Sequence, residues 1–215
     1  MNITKIEHKK EDWQQKAQEG EFKFHKTNKW RQSEDFMKQT KKLFDHFGFD
    51  QDSFQGKTII DLGSGSKMRC KYFKNAELIC IEPLADRFVK EIKWCDLLDA
   101  DGLYSVPAEV FVNECENKAD LVISINVLDH CYNFENIVEN VFKYLKKDGI
   151  AFLSFDKHDV SDEMHPLKLN EEICKDIFYK KGFEINSLTK GCGQILKTYG
   201  HGEYCLNYKL TKRTK

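Results

Sequence analysis

The sequence predicts an α/β fold, a doubly wound and mostly parallel sheet preceded by a helical extension. Three observations carry this. From Gly56 onward, short apolar runs alternate with segments of helical periodicity, the pattern of parallel strands joined by right-handed crossovers. The apolar run 58–61 ends in the carboxylate of Asp61 and turns through Gly63 and Gly65, as a buried strand does when it delivers a ligand-binding loop at its carboxyl end. Residues 1–56, by contrast, are polar with aromatic punctuation and one helical stripe.

In that extension Ser33 is placed to cap a helix, with Glu34 and Asp35 favouring its N-terminal dipole. Phe36, Thr40, Leu43, Phe44 and Phe47 then share a face, and Gly48 ends it. Residues 57–215 form the core. Strands are expected at 58–61, 77–82, 103–106 and 121–126, with 84–97 helical and Phe88, Ile92 and Trp94 partly buried. Residues 133–147 carry apolar side chains at i, i+3, i+4, i+7 and i+8, a strong helical period stopped by Gly149. A buried strand at 150–155 and a helix at 167–181 follow. Two last strands, 183–188 and 204–210, are joined by the glycine-rich stretch 191–202 without a helix, so they are expected to pair antiparallel.

The length, 215 residues, suits one domain. Thirty-four Lys+Arg against thirty-five Asp+Glu give a net charge of −1, so no global field recruits a polyanion. Eight cysteines without a C-x-x-C pair read as small apolar residues in a reducing compartment. No run is long and apolar enough to span a membrane, and the charged N-terminus is unlike a signal peptide. A cytoplasmic protein without membrane contact is the expectation.

Four stretches carry the chemistry. Asp61-Leu62-Gly63-Ser64-Gly65 forms the turn. Glu82-Pro83-Leu84 ends the second strand about twenty residues later, where a carboxylate either accepts from both ribose hydroxyls or stands exposed at a strand end. Val106-Pro107-Ala108-Glu109 follows the third strand, a small residue before a carboxylate that either accepts from a ligand or simply starts a helix. Asn126-Val127-Leu128-Asp129-His130 follows the fourth. In this order the motifs resemble those of class I S-adenosylmethionine (SAM)-dependent methyltransferases of the small-molecule type, over residues 57–210.

The resemblance implies a Rossmann-like sheet of seven strands with the last antiparallel, and SAM as cofactor. It implies a cofactor site of Asp61, Gly63, Ser64, Gly65, Glu82, Pro83, Leu84, Ala108, Glu109, Asn126 and Val127. The extension, with His25, Trp30 and Arg31, would lie over a small-molecule acceptor beside Asp129, or else pack as ordinary helix. One departure stands at Lys67, where many relatives carry a third glycine. A dinucleotide oxidoreductase is disfavoured because Met68 occupies the last glycine of its fingerprint.

Methyl transfer from a sulfonium is largely a matter of positioning, but a hydroxyl acceptor also needs its proton removed. His130 is the first candidate base, or a structural partner of Asp129; His165, before Pro166, is the second. Asp156, His158, Asp162 and His165 share one polar loop, yet no Cys/His framework supports a metal and none is assigned. The favoured acceptor is an oxygen of a sugar, nucleotide-sugar or other hydroxylated metabolite. A nucleic-acid methyltransferase is disfavoured by the neutral charge and by Asn126-Val127-Leu128 in place of a D/N-P-P-Y/F motif. A non-catalytic partner protein on the same fold is the third reading.

Overall fold

A computed structural model describes residues 13–157, 165–190 and 205–213. The extension is a turn at Trp13–Ala17 followed by α1 (Gln18–Thr27), the single turn α2 (Lys29–Gln32) and α3 (Glu34–His46). The α3 stripe of Phe36, Thr40, Leu43 and Phe44 is buried as its spacing predicts, and Gly48 leaves the helix at φ +72°. Ser33 occupies the cap position, but its hydroxyl donates back to the Trp30 carbonyl (2.7 Å) and makes no bond to α3. The exposed carbonyl at the end of α2 is the competing acceptor.

The sheet comprises β1 (Thr58–Leu62), β2 (Glu77–Ile81), β3 (Gly102–Tyr104), β4 (Ala119–Ile125), β5 (Leu145–Asp156), β6 (Phe183–Lys190) and β7 (Cys205–Lys212). Their spatial order is β3-β2-β1-β4-β5-β7-β6. β1 to β5 pair parallel, and β7 runs antiparallel to both β5 and β6. This is the Rossmann-like seven-stranded sheet with its last strand reversed. The glycine-rich stretch 191–202 lies outside the described residues.

Three helices are shorter than their periodicity. The span 84–97 is α-helical only as α4 (Ala85–Glu91), because Asp96 turns back to accept from the Met68 N–H (2.9 Å). Ile92 and Phe88 are fully rather than partly buried. Asn133 caps α5 (Phe134–Tyr144), and at Leu145 the chain goes straight into β5 opposite Ala119. Gly149 therefore sits inside a strand, where a Cβ would stand 2.7 Å from the Ala119 carbonyl. In α6 (Glu171–Lys180) the start is set by Asn170, whose side chain accepts from Ile173 N–H (2.9 Å).

Helices α5 and α6 cover one face of the sheet. The other face buries α4 together with Phe22, Leu43, Phe44 and Phe47 of the extension against Ile59, Ile123 and Phe152. Phe44 is its centre, with the rings of Phe49, Tyr72, Phe73 and Phe152 between 4.8 and 6.3 Å away. So α3 is a wall of the core, and α1 continues from it over the carboxyl ends of the strands. Among the described residues the cysteines are free, and no helix is long and apolar enough to cross a membrane.

Candidate active site

The strand order reverses between β1 and β4, and a crevice opens at their carboxyl ends, where open α/β sheets bind ligands. It forms a cavity of about 310 Å³. Gly63 and Gly65 both lie at positive φ (+74° and +65°). Neither position has room for a side chain: a Cβ on Gly63 would meet Val127 at 2.4 Å, and one on Gly65 would meet His25 at 2.3 Å. The turn therefore takes glycine for close approach as well as for conformation.

Glu82 ties this turn to β2. Its Oε2 accepts from Gly65 N–H (2.9 Å) and its Oε1 from Leu84 N–H (3.0 Å). Each carboxylate oxygen has two acceptor sites, so one per oxygen is left for a ligand. Asp61, at the end of β1, accepts from Cys70 N–H (3.1 Å). Burial pushes both carboxyls up, Asp61 to about 6 and Glu82 to about 7, against the opposing pull of their backbone donors.

Arginines face them. Burial lowers Arg31 to about 10 and Arg69 to about 9, and both stay charged at neutral pH. The guanidinium groups flank the buried Phe36 ring at 5.4 and 4.5 Å. Arg69 donates to Thr40 Oγ1 (2.7 Å), whereas Arg31 Nε is buried without a hydrogen-bond partner. The hydroxyl of Ser64, also on the cavity wall, is in the same state.

At the far end stand His130 and His165, ring centroids 4.5 Å apart. His130 follows Asn126, which takes φ +58° to carry the chain out of β4. Glu21 of α1 reaches between the two ends of the cavity: Oε1 lies 3.3 Å from His130 Nδ1, and Oε2 lies 3.7 Å from His25 Nε2. A family model described as a methyltransferase domain matches residues 28–184.

The chain belongs to the methyltransferase-domain family.

It is a class I, SAM-dependent methyltransferase. Solved structures share its fold at low identity. A SAM-dependent methyltransferase from Aquifex aeolicus is 13% identical over 89% of this chain and 96% of that one, with TM-score 0.60. The Burkholderia thailandensis 1,6-didemethyltoxoflavin-N1-methyltransferase, solved with 1,6-didemethyltoxoflavin and S-adenosylhomocysteine (SAH), is 13% identical over 95% and 87%, TM-score 0.60. Haemonchus contortus phosphoethanolamine N-methyltransferase 2, in complex with phosphomonomethylethanolamine and SAH, is 13% identical over 83% and 53%, TM-score 0.59. A search of curated proteins gives no match.

In this methyltransferase every residue that the motifs suggested for the cofactor lines the one cavity, from Asp61 to Val127. Glu109 does so with one oxygen committed, since Oε1 accepts from the N–H groups of Tyr132 (2.8 Å) and Asn133 (3.2 Å) at the start of α5. His25 lies against the glycine turn: its Nδ1 accepts from Ser66 N–H (3.1 Å) and meets Ser66 Oγ at 2.7 Å. Accepting at Nδ1 assigns the proton to Nε2. Burial and nearby Arg31 hold His25 well below the usual range, so it is neutral. Arg31 is beside Gly65 rather than over the acceptor end. Trp30 is not part of the wall; its ring packs edge-on to Phe36 (5.4 Å). Asp129 is fully buried behind His130.

Asp156 also reaches the wall, while His158 and Asp162 lie outside the described residues. The motifs missed Trp13, Glu21, Phe24 and Arg69. Glu21 had a signal, the i, i+4 spacing to His25 on one helix. Trp13, which donates from Nε1 to the His130 carbonyl (2.6 Å), had none. Cys131 is no nucleophile: its thiol donates to the Val127 carbonyl (3.2 Å), and burial pushes it well up.

Proposed function

We propose that this methyltransferase binds SAM along the β1–β2 side of the cavity and methylates an oxygen of a small hydroxylated acceptor at the histidine end. The observation that carries the reading is the polarity of that single cavity, with carboxylates and arginines at the glycine turn and paired imidazoles at the other end. SAM supplies a methyl group on a cationic sulfur that leaves as a neutral thioether. The residues present suit it. Glu82 would take the two ribose hydroxyls on its remaining acceptor sites. Arg31, with a buried Nε in need of a partner, would take the carboxylate of the methionyl end. Asp61 would face the ammonium, and Ala108 the adenine.

At the other end His130 and His165 would activate the acceptor hydroxyl, with Trp13 and Phe24 of the extension excluding water. Van der Waals contact between donor and acceptor is most of what such a displacement needs. A cavity of 310 Å³ suits a metabolite far better than a polymer, which agrees with a net charge of −1.

The test begins with calorimetric titration of the full chain with SAM and SAH, beside Gly63→Arg and Glu82→Gln. Saturable binding is expected, abolished in the first and weakened roughly 10- to 100-fold in the second. A panel of sugars, nucleotide-sugars, phenols and amines with labelled SAM then reads the acceptor. Label transferred to amines alone would overturn the oxygen assignment; no SAH binding by the folded chain would overturn the donor site.

A further inference from the structure

We propose that Asp129, His130 and His165 bind one divalent cation of the zinc type at the acceptor end of the cavity. The proposal rests on reading that end as the acceptor site, but the cation's binding is measurable without an acceptor. Asp129 and His130 come from the turn after β4, and His165 from the segment after β5. One ligand atom from each lies no more than 4.8 Å from the other two. In a tetrahedral site with bonds of 2.0–2.1 Å, neighbouring ligand atoms stand about 3.4 Å apart. His130 Nε2 and Asp129 Oδ2 are 3.7 Å apart. That distance is close to the edge of a metal tetrahedron. His165 has to close by up to about 1.4 Å, within the reach of a rotamer change.

The surroundings match a metal ligand set in two further respects. A metal-bound histidine ordinarily donates its other ring N–H to a carboxylate, which fixes its orientation. Glu21 Oε1 stands 3.3 Å from His130 Nδ1, on the side away from Asp129. The ligands are also screened from water, Asp129 with no exposed side-chain surface and His130 with 15%. Two imidazoles and one carboxylate select zinc, cobalt, nickel or iron over magnesium and calcium. Three protein ligands leave a position open toward the cavity, as in catalytic zinc sites.

Such a cation gives the two histidines a single task. An acceptor hydroxyl coordinated there ionises near neutral pH, its proton passing to water. The oxygen pair then forms the bond to the methyl carbon while the carbon–sulfur pair returns to sulfur. Because Glu21 belongs to α1, the outer partner of the metal ligand is supplied by the helix that lines the cavity.

The experiment uses the untagged full chain, stripped with a chelator, titrated with Co²⁺ and then back-titrated with Zn²⁺. One equivalent of Co²⁺ with the intense visible bands of a four- or five-coordinate ion, bleached by Zn²⁺, is expected. The bands should vanish in His130→Ala and in His165→Ala, while SAH still binds each variant as it binds the parent. Glu21→Gln should weaken Co²⁺ about 10- to 100-fold without removing it. A parent chain that binds SAH but no Co²⁺, or Co²⁺ binding that survives the double histidine variant, overturns the metal site and leaves the methyltransferase reading intact. Co²⁺ binding without SAH binding does the reverse.

Discussion

Glu82 offers the sharpest quantitative test. Burial lifts its carboxyl from 4.5 to about 7, a change worth about 3 kcal/mol. The sign follows from which state holds the proton. A carboxyl raised in the folded chain contributes stability that is full below 4.5 and lost as the pH rises through about 7. The ligand-free chain should therefore soften as the pH rises from 4.5 to about 7. A ligand whose ribose hydroxyls donate to the carboxylate requires its ionised form, so binding expels the proton. At pH 6 a group titrating near 7 is protonated in about 0.9 of molecules. SAH titrated at that pH in two buffers of different ionisation enthalpy should accordingly release about 0.9 more proton from the parent chain than from Glu82→Gln. By pH 8 the difference should fall to about 0.1. Equal proton counts for the two chains at pH 6 would refute the assignment of Glu82 to the ribose, whatever the affinities.

Three further outcomes follow from the geometry. Arg31→Met should weaken SAM about 10- to 100-fold but leave decarboxylated SAM nearly unaffected; equal losses for both would remove the carboxylate contact. Gly65→Ala should destroy SAH binding, since its Cβ would lie 2.3 Å from His25 at φ +65°. Adding His25→Ala should restore part of that binding, and a double variant no better than the single would show that backbone strain alone is decisive. Phe44→Ala should cost about 3–5 kcal/mol in urea denaturation. A loss under about 1 kcal/mol would mean that α3 is not a wall of the core.

The sheet was legible because its signals are local. An apolar strand, a carboxylate at its end and glycines after it constrain one another over ten residues, and four such strand ends in order define one crevice. The helix ends were less legible because distant partners set them. Asp96 leaves the helical register to accept from Met68 N–H, and Ser33 gives its hydroxyl to Trp30; neither partner is visible in a window of local pattern. The acceptor end was the hardest to read. His130 and His165 each stood out as titratable groups near strand ends, but their 4.5 Å approach depends on two loops folding over one crevice. Trp30 and Arg31 are neighbours in sequence and both reach Phe36, yet only Arg31 extends from α2 to Gly65 and the cavity.

The charge pattern of the cavity decides what the fold is for. Burying Asp61 and Glu82 costs stability, as their raised carboxyls show. Apolar residues at the same strand ends would pack the crevice at less expense. Arg31 and Arg69 only partly offset the cost, because burial works against them too. On the proposed reading, a ligand bearing a cation, a carboxylate and paired hydroxyls would recover it term by term: Asp61 would gain a cationic neighbour, Arg31 a partner for Nε, and Glu82 two donors. The crevice thus holds buried charge that such a ligand would satisfy. Glu21 extends the same logic to α1, since one carboxylate faces both His25 at the glycine turn (3.7 Å) and His130 at the far end of the cavity (3.3 Å).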